Sequence, residues 1–268
     1  MPDGLMLKTD KMLASKQGGI GTMTFNNPER RNAVSMEMWE AAEAILTDFR
    51  DDPDVRVVII TGAGGKAFVS GADISKFESE RSGPDAVAAY NAQTERVYGL
   101  LHGFPKPTIA EIHGACVGGG MALAICCDLR LSADDSRFGI PAAKLGLGYG
   151  YVGMKRLSDV IGPSFAKEML FTARLFSAEE ARLMGLVNRV MPDAELGPYV
   201  ADYAATITGN APLTVATAKF VLNEAMKDES QRDRAKGDAM VAACFSSEDY
   251  IEGRKAFLEK RKPDFKGR

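Results

Sequence analysis

A run of glycines enters an apolar segment at HGACVGGGMALAICCD, residues 113–128. Closely spaced glycines let another backbone or a ligand approach. The first N–H groups of a helix have no internal partner and lie at the positive end of its dipole. An oxygen gaining negative charge, such as that of a thioester becoming an enolate, is stabilised there. The same residues also suit a helix start that only has to pack tightly. No acid or base follows the glycines where a proton transfer would use one.

Two other glycine runs invite nucleotide-binding readings, and both fail. TGAGGKAF, residues 61–68, places Gly-Lys after a strand pattern, but the spacing is wrong for a phosphate-binding loop. Ala67 also stands where a hydroxyl would hold magnesium. GYGYVG, residues 148–153, matches Gly-x-Gly-x-x-Gly. It lies deep in the chain after the loop-like KLGLGYG, not after the first strand of a βαβ unit.

The elements that must position these residues follow from periodicity. VRVVIITG (55–62), TIAEIHG (108–114) and DLRLSA (128–133) read as strands. Residues 35–50 read as a helix capped by Ser35, with Met38, Ala42, Ile45, Leu46 and Phe49 on one face. In SAEEARLMGLVNRVMP (177–192), Ser177 and Glu180 have capping-box spacing, Gly185 stops the helix, and LVNRV resumes as a strand. Strand and helix alternate to about residue 192, which predicts an α/β core with mainly parallel strands. Beyond about residue 198 the segments 212–227, 231–247 and 249–262 all read helical. The expected division is an α/β core over 1–197 and a helical region over 198–268.

With 268 residues, 46% apolar and 26% charged, the chain fits an ordinary globular protein with a sizeable core. A net charge of -3 gives no reason to expect nucleic acid. Cys116, Cys126, Cys127 and Cys244 contain no Cys-x-x-Cys pair, and they suit buried thiols in a reducing compartment better than disulfides or a zinc site. MPDGLMLKTDK does not resemble a signal peptide, and no run of about 18 apolar residues exists to span a membrane. The expected setting is cytoplasmic, with no metal.

Four segments in order resemble the crotonase family, the enoyl-CoA hydratase/isomerase superfamily. They are MTFNNPERRNAVS (23–35), GKAFVSGADISKF (65–77), the stretch 106–147 around the glycine triple, and EGRKAFLEKRKPDF (252–265). The resemblance implies a spiral of ββα units with a C-terminal helical trimerisation region, as a homotrimer or a dimer of trimers. It implies an acyl-CoA thioester as the partner, with coenzyme A as part of the substrate and no bound cofactor. By this resemblance the backbone N–H groups of Ala72 and Gly119 form an oxyanion hole. Arg30, Arg31 and Ala33 belong to the CoA-binding turn, and Ala72, Asp73 and Ile74 lie near adenine. Phe257 and Lys260 reach CoA, often in a neighbouring subunit. Ser70, Gly118, Pro141, Ala142 and Gly150 complete the expected substrate contacts. Arginine and lysine suit CoA because they pair with phosphate. Read without the resemblance, ERR (29–31) is a solvated turn and EKRK (259–262) an exposed helix end.

Hydratases of that family use two glutamates to activate water and to protonate the α-carbon. The matching positions here are Ala122, three residues after Gly119, and Ala142, after the proline of FGIP. Neither can move a proton. Tyr149 and Tyr151 are candidate donors, although aromatic packing explains them as well. Lys144 reads as exposed, His113 as a satisfied structural histidine, Asp128 as a cap on the helix turn, and Glu111 as a residue facing a subunit interface. Two classes of function remain open. One is an acyl-CoA enzyme of the hydratase/isomerase type, or a decarboxylase or hydrolase on the same scaffold. The other is a non-catalytic acyl-CoA-binding or regulatory protein.

Overall fold

The computed structural model describes residues 6–73, 76 and 83–268. Strands β1 (Met12–Gln17) and β2 (Ile20–Phe25) form a hairpin. Its turn uses Gly18 and Gly19, both at positive φ (59° and 82°), which tight two-residue hairpin turns require. Helix α1 (Met36–Asp51) then leads to β3 (Val57–Gly62), which runs parallel to β2.

From β3 onward one step repeats. A strand of the first sheet is followed at once by a short strand of a second sheet. β3 precedes β4 (Ala67–Val69), β5 (Thr108–Ile112) precedes β6 (Ala115–Val117), and β7 (Leu129–Ala133) precedes β8 (Arg137–Gly139). Helix α2 (Pro84–His102) joins the first step to the second, and α3 (Gly119–Ala124) joins the second to the third. Helix α4 (Tyr151–Thr172), β9 (Phe176–Ser177), α5 (Ala178–Leu183) and β10 (Arg189–Met191) close the spiral. The first sheet has the order β1-β2-β3-β5-β7-β10 and the second β4-β6-β8-β9. This is the α/β spiral of ββα steps.

The central strands β3, β5 and β7 are buried on both faces, which explains their largely apolar runs. Val58, Ile60, Ala110 and Ile112 face the larger core with Trp39, Phe49 and Phe138. Val57, Ile59, Ile109, Leu131 and Ala133 face the other way, onto Leu196, Val200 and Ala204 of α6 (Asp193–Thr208). Helices α7 (Pro212–Ala225), α8 (Arg234–Ser246) and α9 (Glu248–Glu259) follow. Residue 197 lies inside α6, so the helices not seated on the sheet begin at Pro212.

Local signals translate directly in places. Ser177 and Glu180 form the capping box, with Glu180 N donating to Ser177 Oγ at 3.2 Å and Ser177 N donating to Glu180 Oε2 at 2.8 Å. Gly185 adopts φ 76° just past that helix. The strand after it begins at Arg189 rather than at Leu186, because Leu186 and Val187 are spent closing the helix end onto the Ala181 carbonyl. Ser35 occupies the N-cap position of α1, but its side chain makes no cap bond and lies against Glu37 instead.

Among the described glycines, an added Cβ would meet the closest obstacle at Gly120. A Cβ there would lie 2.0 Å from the Val69 carbonyl oxygen, a backbone atom that cannot swing aside. The close seating of α3 on β4 therefore depends on glycine. Gly120→Ala is expected to lower stability by roughly 3 kcal/mol or more, read by urea denaturation monitored through Trp39. A loss below about 1 kcal/mol would show that the two segments can separate freely.

Candidate active site

The contact of α3 with β4 brings two distant backbone segments together. Gly118, at φ 57°, is the N-cap of α3 and lies against the Gly71 Cα. The Cβ position of Gly119 lies 3.7 Å from the Gly71 Cα and 3.9 Å from the Ala72 N. Gly119 N belongs to the first turn of α3, where N–H groups lack helical partners. Ala72 is bridged to Val34, but the bonds of that bridge run from Val34 N to Gly71 O and from Asp73 N to Val34 O. Among the described residues, neither the Ala72 nor the Gly119 N–H is given to a backbone acceptor outside regular elements.

The turn carrying Arg30, Arg31 and Ala33 docks on the same segment. Ser70 N donates to Arg31 O at 3.2 Å, and Asp73 N donates to Val34 O at 3.0 Å, which seats residues 70–73 along the turn. Asn32 holds this turn in place. It is fully buried, accepts from Asn27 N at 2.9 Å, and donates to Ala63 O at 3.0 Å and Ala67 O at 2.7 Å. Arg31 and Asn32 both adopt left-handed backbone (φ 52° and 55°), which turns Arg30 and Arg31 outward. Both arginines are exposed and form no ion pair among the described residues. Ile74 lies outside the described residues.

Ala122 and Ala142 flank the same region. Gly118 N donates to Gly139 O at 2.9 Å, and this ties α3 to the strand that leads into Pro141 and Ala142. Ala122 is half-buried on α3, and Ala142 is buried in a 3₁₀ turn, Pro141–Lys144. Lys144 is exposed. Gly150 caps α4, and Tyr151 begins that helix with 79% of its surface exposed. Tyr149 is 37% exposed and close enough to raise the pKa of Tyr98. Phe257 (84% exposed) and Lys260 lie on or at the end of α9, which packs chiefly against α8.

Sequence reasoning misses Tyr98, which the tertiary structure brings to this site. It sits on α2 between the buried Val97 and the half-buried Gly99, where an aromatic reads as ordinary core. Its hydroxyl donates to Gly119 O at 3.1 Å, and the Gly119 Cβ position lies 3.3 Å from its oxygen. Trp39 meets its ring edge-on with centroids 5.3 Å apart. Burial first, and then its neighbours Tyr90, Cys126, Tyr149 and Glu95, hold its phenol well above the usual range. Only the fold could reveal it, because nothing local marks a hydroxyl at this position.

The remaining candidates have structural partners. Asp128 does not cap the helix turn. It accepts from Thr108 N at 2.7 Å and Thr108 Oγ1 at 2.9 Å, and it pairs with Lys219 of α7 at 2.7 Å. Cys116, Cys126 and Cys127 are buried, and burial pushes their thiols up, Cys126 to about 12. Among the described residues no cluster of three or more His, Cys, Asp or Glu could hold a metal ion, and no helix is long and apolar enough to cross a membrane.

His113 sits between Glu111 Oε1 (3.1 Å) and Asp193 Oδ1 (2.5 Å), so Glu111 faces this histidine within the chain. The hydrogen bond that His113 donates to Glu111, opposed by burial and aided by Asp193, raises its pKa from 6.5 to about 9. The imidazolium then donates from both nitrogens and pins α6 to the end of β5. A raised folded-state pKa stabilises fully below the unfolded value and is lost as pH climbs through the folded one. Stability from His113 should therefore be intact at pH 6 and fall between about pH 6.5 and 9. Denaturation curves at about pH 6 and 9.5 should show a smaller pH-dependent loss for His113→Gln than for the parent. Equal losses would remove His113 from this role.

Comparison with known proteins gives concordant matches. The sequence profile described as enoyl-CoA hydratase/isomerase matches residues 15–268. The chain is 36% identical over 256 residues to a crotonyl-CoA hydratase of Syntrophomonas wolfei, covering 96% of this chain and 98% of that protein. It is 36% identical over 267 residues to a carnitinyl-CoA dehydratase of Escherichia coli, covering 97% and 100%. Among solved structures, an enoyl-CoA hydratase/carnitine racemase from Magnetospirillum magneticum superposes with a TM-score of 0.90 at 35% identity, over 97% of each chain. An enoyl-CoA hydratase from Bacillus anthracis does so with a TM-score of 0.88 at 30% identity, over 97% of this chain and 100% of that one.

Proposed function

The chain belongs to the enoyl-CoA hydratase/isomerase family, and we propose that it binds an acyl-CoA thioester and stabilises the enolate oxygen with the Ala72 and Gly119 N–H groups. The observation that carries this reading is the approach of these two backbones, which leaves both N–H groups beside one point near the Gly119 Cα. In many such reactions, donors already aimed at the developing charge do more to lower the barrier than any other single effect. Arg30 and Arg31, exposed and without an ion pair among the described residues, are suited to the phosphates of CoA. Ile74, Gly118, Pro141 and Gly150 are assigned to the same substrate on family resemblance.

In this reading the protein is an acyl-CoA enzyme of hydratase/isomerase type, with Ala122 and Ala142 where two acid/base glutamates act. Hydration of a simple enoyl-CoA is then weak, and reactions in which the substrate supplies its own electron pair, such as decarboxylation, become accessible to the same oxyanion hole. Helices α7 to α9, within the region 198–268, form the oligomerisation region of a homotrimer or dimer of trimers. Leu222, Phe245, Ile251, Phe257 and Leu258 are each more than half exposed in the single chain, which supports burial against other copies. Phe257 and Lys260 would then approach CoA from a neighbouring subunit.

Turnover of crotonyl-CoA, followed by loss of the enoyl-thioester absorbance, tests the reading together with calorimetric titration of CoA. The expected result is CoA binding with hydration about 10²–10⁴-fold below that of a hydratase bearing both glutamates, the usual worth of general acid–base groups. Robust hydration that survives Tyr149→Phe and Tyr151→Phe would mean that another carboxylate serves. Absence of CoA binding would remove the acyl-CoA assignment.

A further inference from the structure

Two alanines stand where proton-transfer groups would act, yet the site is not without a side-chain donor. The Gly119 Cβ position lies 3.3 Å from the Tyr98 Oη and 3.9 Å from the Ala72 N, and Gly119 carries its own N–H beside it. Three donors, from the segment after β4, from α3 and from α2, therefore surround one small volume. We propose that Tyr98 is a catalytic residue whose hydroxyl is the third hydrogen-bond donor to the thioester oxygen, a role that rests on the acyl-CoA reading above.

The chemistry follows from what the hydroxyl already does. Its proton is given to the Gly119 carbonyl at 3.1 Å. A hydroxyl proton rotates about the C–O bond, so this bond can be exchanged for one to a ligand without moving the ring. Against a neutral thioester oxygen the exchange gains little. Against an oxygen that is acquiring charge it replaces a neutral bond with a charge-assisted one, roughly twice as strong. Tyr98 thus stabilises the charged state more than the bound ground state, which is the condition for accelerating the chemical step. The ring cannot drift from this position, because Trp39 lies edge-on against it and Trp39 Nε1 is itself anchored on Tyr90 Oη at 3.0 Å. Burial keeps the phenol protonated across the physiological range, so it is available as a donor and unsuited to act as a base.

The test uses the full chain and 4-dimethylaminocinnamoyl-CoA, a push–pull thioester whose absorption moves to longer wavelength as its carbonyl oxygen is polarised. The parent protein should bind it with a clear red shift. Tyr98→Phe keeps the ring against Trp39 and removes only the hydroxyl. It should bind the probe within about twofold of the parent while losing about a third or more of the red shift, as expected for one donor of three that acts mainly on developing charge. A full red shift in Tyr98→Phe would overturn the role of Tyr98 and leave the Ala72 and Gly119 pair standing. Absence of a red shift in the parent would overturn the acyl-CoA reading and this inference with it. Circular dichroism and CoA calorimetry on the variant separate a lost hydroxyl from a lost fold. If Tyr98→Phe does not fold, the same comparison is made with 3-fluorotyrosine incorporated at tyrosine positions, whose stronger O–H donor should increase the shift; an unchanged shift there would also overturn the proposal.

Discussion

The site depends on two stretches of backbone lying almost in contact, β4 with residues 70–73 on one side and the start of α3 on the other. Any side chain at Gly120 would meet the Val69 carbonyl. The absence of that side chain lets Gly71, Ala72, Gly118 and Gly119 meet. Main-chain N–H groups held this way need no reorganisation when charge appears between them. The donors are also fixed by the sheets, because β4 and β6 are parallel neighbours in the second sheet and α3 leaves directly from β6.

The rest of the molecule holds that contact in register. Asn32 uses both ends of its amide to fasten the turn of Arg30 and Arg31 to the loop between β3 and β4 and to the start of β4. Arg130, buried, donates to the Leu186, Cys127 and Ala124 carbonyls and closes the far end of α3, where a cation suits the helix dipole. A short helix with one end wedged on β4 and the other on Arg130 has little freedom to rotate. The helical region is attached by Lys219, nearly buried, which donates to the Lys106 carbonyl and pairs with Asp128. Asp128 thereby holds α7 and the start of β5 at once.

Charge and hydroxyl chemistry are distributed unevenly around this frame. The positive groups of Arg30 and Arg31 stand at the surface, where a phosphate can reach them. Next to the Gly119 carbonyl lie main-chain N–H groups and the protonated Tyr98 phenol. Under the proposed acyl-CoA reading, such donors would stabilise negative charge on a substrate and leave the removal of a proton to the substrate itself or to water.

The sequence by itself determined the elements with local periodicity. The buried strands from 57, 108 and 129, the helical tail, the capping box at Ser177 and the glycine turn before α3 are all legible because each rests on contacts a few residues apart. The glycine triple was legible for the same reason. Tertiary structure decided which of these pieces meet. Ala72 and Gly119 are 47 positions apart in sequence, and the pairing of β4 with β6 brings them together. Asn32, Asp128 and Tyr98 acquire their roles from residues 20 or more positions away. A buried asparagine, aspartate or tyrosine carries no local periodic signal of the partner it will find, so these roles became visible only when the chain was folded.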